Sequence, residues 1–161
     1  MLCIEHIPLA ELQQITEYYG VTLQQVASHH TIPGSWFGDP EAGIIRMNLY
    51  VRNDTPLHSA LHELCHLVCM DNLRRTTLDT NAGGGYDEED AVNYLQILLA
   101  DQLPCCGRLR MMQDMDSWGY SYRLGSATAW FYEDAEDARQ WLFAHQLINP
   151  QEQPTWQLRQ G

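Results

Sequence analysis

Along most of this chain apolar residues recur every three or four positions, the spacing that gathers them on one side of a helix. Leu9, Leu12, Ile15 and Tyr19 predict a first helix that stops at Gly20. A second short helix can start at Thr22, with Gln25 completing a capping box. From Thr31 the pattern breaks into T-I-P-G-S-W-F-G-D-P, which is turn chemistry. The recognition helix that would complete a helix-turn-helix is therefore missing, and the first two helices read as scaffold. Gly43 to Val51, G-I-I-R-M-N-L-Y-V, is the clearest strand, bounded by Gly43 and by Asn53-Asp54.

Helical spacing returns over Thr55 to Asn72, where Thr55 can cap, Pro56 suits the first helical position, and Asn72 can close. Leu73 to Tyr86, with Gly83-Gly84-Gly85, reads as a flexible loop able to lie over that helix. Asp87 to Leu103 is the next helix: four acids at its positive end, then a stripe of Ala91, Val92, Leu95, Leu98 and Leu99, and a stop at Pro104. A short helix is expected over Arg108 to Met115 and an extended aromatic segment over Trp118 to Leu124. Helix resumes from Ser126 with a break near Asp134. These elements predict a mostly helical α+β domain over residues 1–149, with a small sheet feeding the Thr55 helix. The Gln- and Pro-rich residues 150–161 read as a loose tail.

Composition narrows the function. With 161 residues the chain can bury one sizeable core. A net charge of −12 argues against a direct nucleic-acid partner and against attraction to an anionic membrane. No signal-peptide pattern or membrane-length apolar run is present, so a cytoplasmic protein is expected. The five cysteines lack the paired spacing of a disulfide framework. Cys65 and Cys69 read as buried small residues rather than ligands, and Cys105-Cys106 as an accident of a loop.

The chemistry concentrates in one motif. His62, Glu63 and His66 form H-E-x-x-H; residues four apart share a helix face, so both imidazoles can aim at one ion with the Glu63 carboxylate beside it. This is the geometry of a zinc hydrolase, with Glu63 as general base. A catalytic zinc needs a third protein ligand and an open position, and the acidic start of the Asp87 helix can supply the ligand. Glu88 lines up with the apolar stripe and is the first choice. Glu89 is the rival, with Asn93 one turn on as a group that could steady a ligand, and Asp90 comes third. His58, one turn before His62, could orient substrate or stabilise an oxyanion; Tyr86, Tyr120 and Tyr122 are candidate phenol donors to the same charge.

On these residues the chain resembles the zincin superfamily, and within it the ImmA/IrrE-type cytoplasmic metallopeptidases. The match runs over positions 40 to 104, where the strand feeds H-S-A-L-H-E-L-C-H-L and E-E-D-A-V-N-Y-L-Q-I-L-L-A-D-Q-L-P echoes their acidic helix. The chain departs where a Glu usually precedes the Ala, since Asp90 stands there. The resemblance implies a zincin-like fold, a zinc ion and a peptide or protein substrate. The Arg74-Arg75 pair after the motif also resembles elongation factor P hydroxylase, which would imply Fe2+ in the same ligands. A silent zincin-like binding protein is the third expectation.

Overall fold

The computed structural model describes residues 1–161. A 3-10 turn at Ile4–His6 leads into α1 (Leu9–Tyr18), β1 (Thr22–Val26), β2 (Gly43–Ile45), β3 (Asn48–Arg52) and α2 (Leu57–Cys69). There follow α3 (Asn72–Thr77), α4 (Tyr86–Ala100), α5 (Gly107–Trp118), α6 (Ala127–Glu133) and α7 (Glu136–Ala144). The architecture is the expected one, mostly helical α+β with a three-stranded mixed sheet in the order β1-β3-β2. No helix is long and apolar enough to cross a membrane.

Two local expectations fail in the sheet, for one reason. The helix expected from Thr22 is the strand β1, which pairs parallel to β3 from Thr22↔Asn48 to Val26↔Arg52. Pairing with a strand over twenty residues away outweighs a local capping pattern, and Thr and Val suit a strand. The single strand expected over Gly43 to Val51 is a hairpin: β2 turns back on β3 through Arg46-Met47, with Ile45 opposite Asn48. Arg46 carries the positive φ, 49°, that the reversal needs, and its N–H donates to Leu78 O at 2.9 Å. No Gly or Asn marks that turn, so the sequence carries no signal for it. The free side of β2 is bridged by Ser35, opposite Gly43, and by Asp79, opposite Ile45. A Cβ on Gly43 would stand 1.9 Å from Pro33 O, so only glycine lets these backbones approach.

Every residue of α2 is buried, including its three histidines and Glu63. Its start differs from expectation in one detail: Thr55 does not cap it, because the Thr55 hydroxyl accepts from Arg52 N at 2.9 Å and closes the hairpin end instead. At the far end Asp71 accepts from Arg74 N at 2.8 Å and caps α3, so the first half of the expected loop over Leu73 to Tyr86 is helix. Arg75 is buried behind that turn and donates to Leu67 O at 2.9 Å and to Met70 O at 2.5 Å, satisfying carbonyls that α2 leaves open. Helix α4 packs along α2, with α5 and α7 against its other sides. From Ala91 to Ala100 it has no exposed face at all.

The tail expected to be loose is docked. Trp156 packs on Tyr18 and Tyr19 with ring centroids 4.7 and 5.3 Å away, and Arg159 N donates to Val68 O at 2.9 Å. One aromatic anchor and one main-chain hydrogen bond hold a segment whose composition alone looks mobile.

Candidate metal centre

His62 and His66 stand one turn apart on α2, and their Nε2 atoms face each other at 3.1 Å. Both point at one carboxylate. Glu89 Oε1 lies 3.1 Å from His62 Nε2, and Glu89 Oε2 lies 3.4 Å from His66 Nε2. The three ligand-type atoms fall within 4.8 Å of one another. Two neutral imidazole nitrogens cannot hydrogen-bond to each other without a proton, and both sit beside a negative charge. The arrangement gathers two nitrogens and one carboxylate oxygen around one point, a donor set that fits a zinc or iron ion.

The third member is Glu89, which corrects the choice of Glu88. Glu88 is buried, as its alignment with the apolar stripe required, but it faces away from the histidines. Arg74 donates to its Oε2 at 2.5 Å and Arg159 to its Oε1 at 3.0 Å. The stripe misled because α4 beyond its first turn is buried on every side, so apolar residues do not single out the face toward α2. That face is the polar one, carrying Glu89, Asn93 and Gln96 at i, i+4 and i+7. Asp90 does not join the cluster either.

Gln96, which motif reading did not raise as a site residue, orients the centre. It is fully buried, and its Oε1 accepts from His62 Nδ1 at 3.0 Å, so the Nε2 lone pair of His62 is turned toward Glu89 and His66. Its amide nitrogen donates to His58 O at 3.1 Å and to the Tyr120 hydroxyl at 3.3 Å. The Tyr120 hydroxyl then donates to His58 Nδ1 at 3.2 Å. This order of donors leaves neutral His58 with its proton on Nε2. Burial, with the nearby His62, pushes the His58 imidazole down to about 4, so it stays neutral at ordinary pH.

Burial shapes the charges of the site. The Glu63 carboxyl is pushed up to about 7, mainly by its loss of water, with Glu89 and Glu41 adding and His62 opposing. A carboxyl near neutrality suits a group that must take and return a proton. Burial drives His66 down to about 3, and the charge of His62 adds to that. For His62 burial also works against protonation, but the hydrogen bond to Glu89 and the charge of Glu63 outweigh it and raise the group. Glu89 is lowered, because the two histidines overcome its own partial burial.

Two adjoining hollows of about 260 and 140 Å3 share Phe37, His62, Glu63 and Glu89 in their walls. The larger is bordered by Thr80 to Gly84, so the glycine loop does lie beside the site. Trp36 and Phe37, exposed at its rim, come from the turn-rich segment before β2. The smaller hollow reaches between Tyr120, Trp118 and His58. Of the phenols considered, Tyr86 is almost wholly exposed and Tyr122 stacks on Trp130 at 4.9 Å, which leaves Tyr120 at the site. Cys65 and Cys69 are buried in the core with thiols pushed up by burial, outside the cluster. Comparisons of the chain with family models, with curated proteins and with solved structures found no match in any of the three.

Proposed function

We propose that the chain is a zinc-dependent peptidase in which His62, His66 and Glu89 hold the metal and Glu63 is the general base. The observation that carries this reading is the convergence of the two Nε2 atoms and the Glu89 carboxylate, with Glu63 buried on the wall of the same cavity. When bound, the ion would supply a Lewis acid that acidifies a water and polarises a carbonyl. Glu63, poised near neutrality, takes the proton of the attacking water and returns it to the leaving amine. His58, on the wall of the smaller hollow and with its Nε2 unpaired, would donate to the oxygen of the substrate carbonyl as negative charge builds there. Gln96 and Tyr120 keep that donor and the His62 ligand in the tautomers the step requires.

Two histidines and one carboxylate are also the ligand set of non-haem iron oxygenases, so the hydroxylase reading competes on the same residues. The Arg74-Arg75 pair that suggested it has structural work, closing α2 and holding Glu88. The test is the metal retained by protein purified without added metal, together with hydrolysis of an unfolded protein. Zinc with hydrolysis lost in Glu63→Gln supports the peptidase. Bound iron without hydrolysis overturns it in favour of oxygen chemistry, and zinc without any hydrolysis in favour of a silent binding protein.

A further inference from the structure

Three residues that line the smaller hollow, Glu41, Asn93 and His58, each carry a buried polar atom with no partner: Oε2, Oδ1 and Nε2 in turn. All three are more than nine-tenths buried, at 8%, 8% and 2% exposure. Buried polar groups are seldom left unpaired, and three around one hollow mark a place shaped for a ligand. Two of them are acceptors. Glu41 cannot turn to find a partner, because its other oxygen accepts from the Trp118 indole N–H. The third is a donor, since Tyr120 gives its proton to His58 Nδ1. The walls add aromatic rings: Trp118 lies edge-on to Phe37 at 5.1 Å and to Tyr120 at 5.5 Å. No arginine lines the hollow, whose charged members are the acids Glu41, Glu63 and Glu89.

We propose that this hollow binds a protonated amine of the substrate, with Glu41 and Asn93 accepting its N–H groups and Trp118, Tyr120 and Phe37 facing its charge. An amine is a donor-only cation, which matches two acceptors and an aromatic wall. The His58 donor cannot serve it and stays free for a carbonyl oxygen. The hollow, about 140 Å3, has room for one side chain or one chain terminus. The inference names the substrate class of the proposed peptidase and rests on that reading for its consequence: cleavage next to a basic residue or next to a free amino terminus.

The experiment follows the Trp118 indole N–H by NMR in the full-length protein, its signal assigned with Trp118→Phe. Three probes are titrated: N-acetyl-lysine methylamide, its uncharged counterpart N-acetyl-norleucine methylamide, and alanine methylamide with a free amino group. At least one amine should move the signal saturably and bind about tenfold or more tighter than the norleucine probe. Tighter binding of the lysine probe identifies a basic side chain as the occupant; tighter binding of the alanine probe identifies an amino terminus. Glu41→Gln should remove about tenfold of the amine affinity, and Asn93→Ala, a second variant with no charge change, several-fold. Equal binding of lysine and norleucine probes overturns the proposal, as does a signal that neither amine moves, the behaviour of a hollow that holds only water. The titration is run with and without zinc. Amine selectivity in a protein that takes up no zinc would sink the metal reading and keep the pocket; zinc uptake without amine selectivity would do the reverse.

Discussion

Glu88 and Glu89 follow one another on α4, yet Glu88 is clasped by Arg74 at 2.5 Å while Glu89 stands 3.1 Å from His62 Nε2. One step along a helix turns a side chain by about 100°, enough to take it from one neighbour to another. On the proposed function, Glu89→Ala removes an anionic ligand and should weaken zinc binding by more than about 100-fold, beyond the cost typical of a residue that only supports a ligand. Glu88→Ala should cost far less. Dissociation constants from competition with a chelating dye decide it, and a larger loss in Glu88→Ala would put the wrong carboxylate on the metal.

The histidines and Glu63 separate by role. His62→Ala and His66→Ala should each lose the metal, whereas Glu63→Gln should retain it and lose peptide hydrolysis by roughly 100 to 10,000-fold, the range of general-base catalysis. Metal content by mass spectrometry, read beside turnover, checks this pair of outcomes. Loss of metal in Glu63→Gln to the extent seen in His62→Ala would contradict it.

Acid should displace the metal one proton at a time. A ligating imidazole must be neutral, so protons compete with the ion. His62 is raised above the ordinary imidazole value of about 6.5, while His66 is held down to about 3 and Glu89 is lowered. Above the His62 value no proton competes and affinity is flat. As pH falls through it, affinity should drop about tenfold per pH unit, the slope of a single proton, until His66 begins to titrate. Equilibrium dialysis between pH 8 and pH 5 gives the slope; a slope of two would mean that both histidines titrate together.

Gln96 should matter for affinity more than its neutral side chain suggests. Gln96→Leu leaves His62 Nδ1 without an acceptor and frees the ring to turn, and a change of this kind typically costs about 10 to 100-fold in metal affinity. Thermal unfolding of the metal-free variant controls for lost packing. Unchanged affinity would mean that α2 alone fixes the His62 ring.

The docked tail is testable by stability. Arg159→Ala removes one of the two cations on Glu88 and the bond to Cys69 O, so it should destabilise the fold by about 1–2 kcal/mol. Urea unfolding measures it. A variant as stable as the parent would show that Trp156 and the main-chain bonds anchor the segment without the Arg159 side chain.

The sequence by itself determined α1, α2 and α4 to α7, their order, and the pair of imidazoles on α2, but not α3. Those features depend on residues three or four apart, and helix geometry converts that spacing directly into a shared face. It pointed to the acidic start of α4 as the source of the third member of the cluster as well, but not to which acid, since that depends on rotation about a helix buried on every side beyond its first turn. Only the tertiary structure decided what long-range partners decide: β1 as a strand rather than a helix, the hairpin turning at Arg46, and the tail held by Trp156 and Arg159. The centre divides the same way. His62 and His66 are local, while Glu89, Gln96 and Tyr120 reach them from 23 to 58 residues further along the chain. Contacts at that separation are set by how α2 and α4 pack, and packing is a property of the whole core that no local pattern encodes.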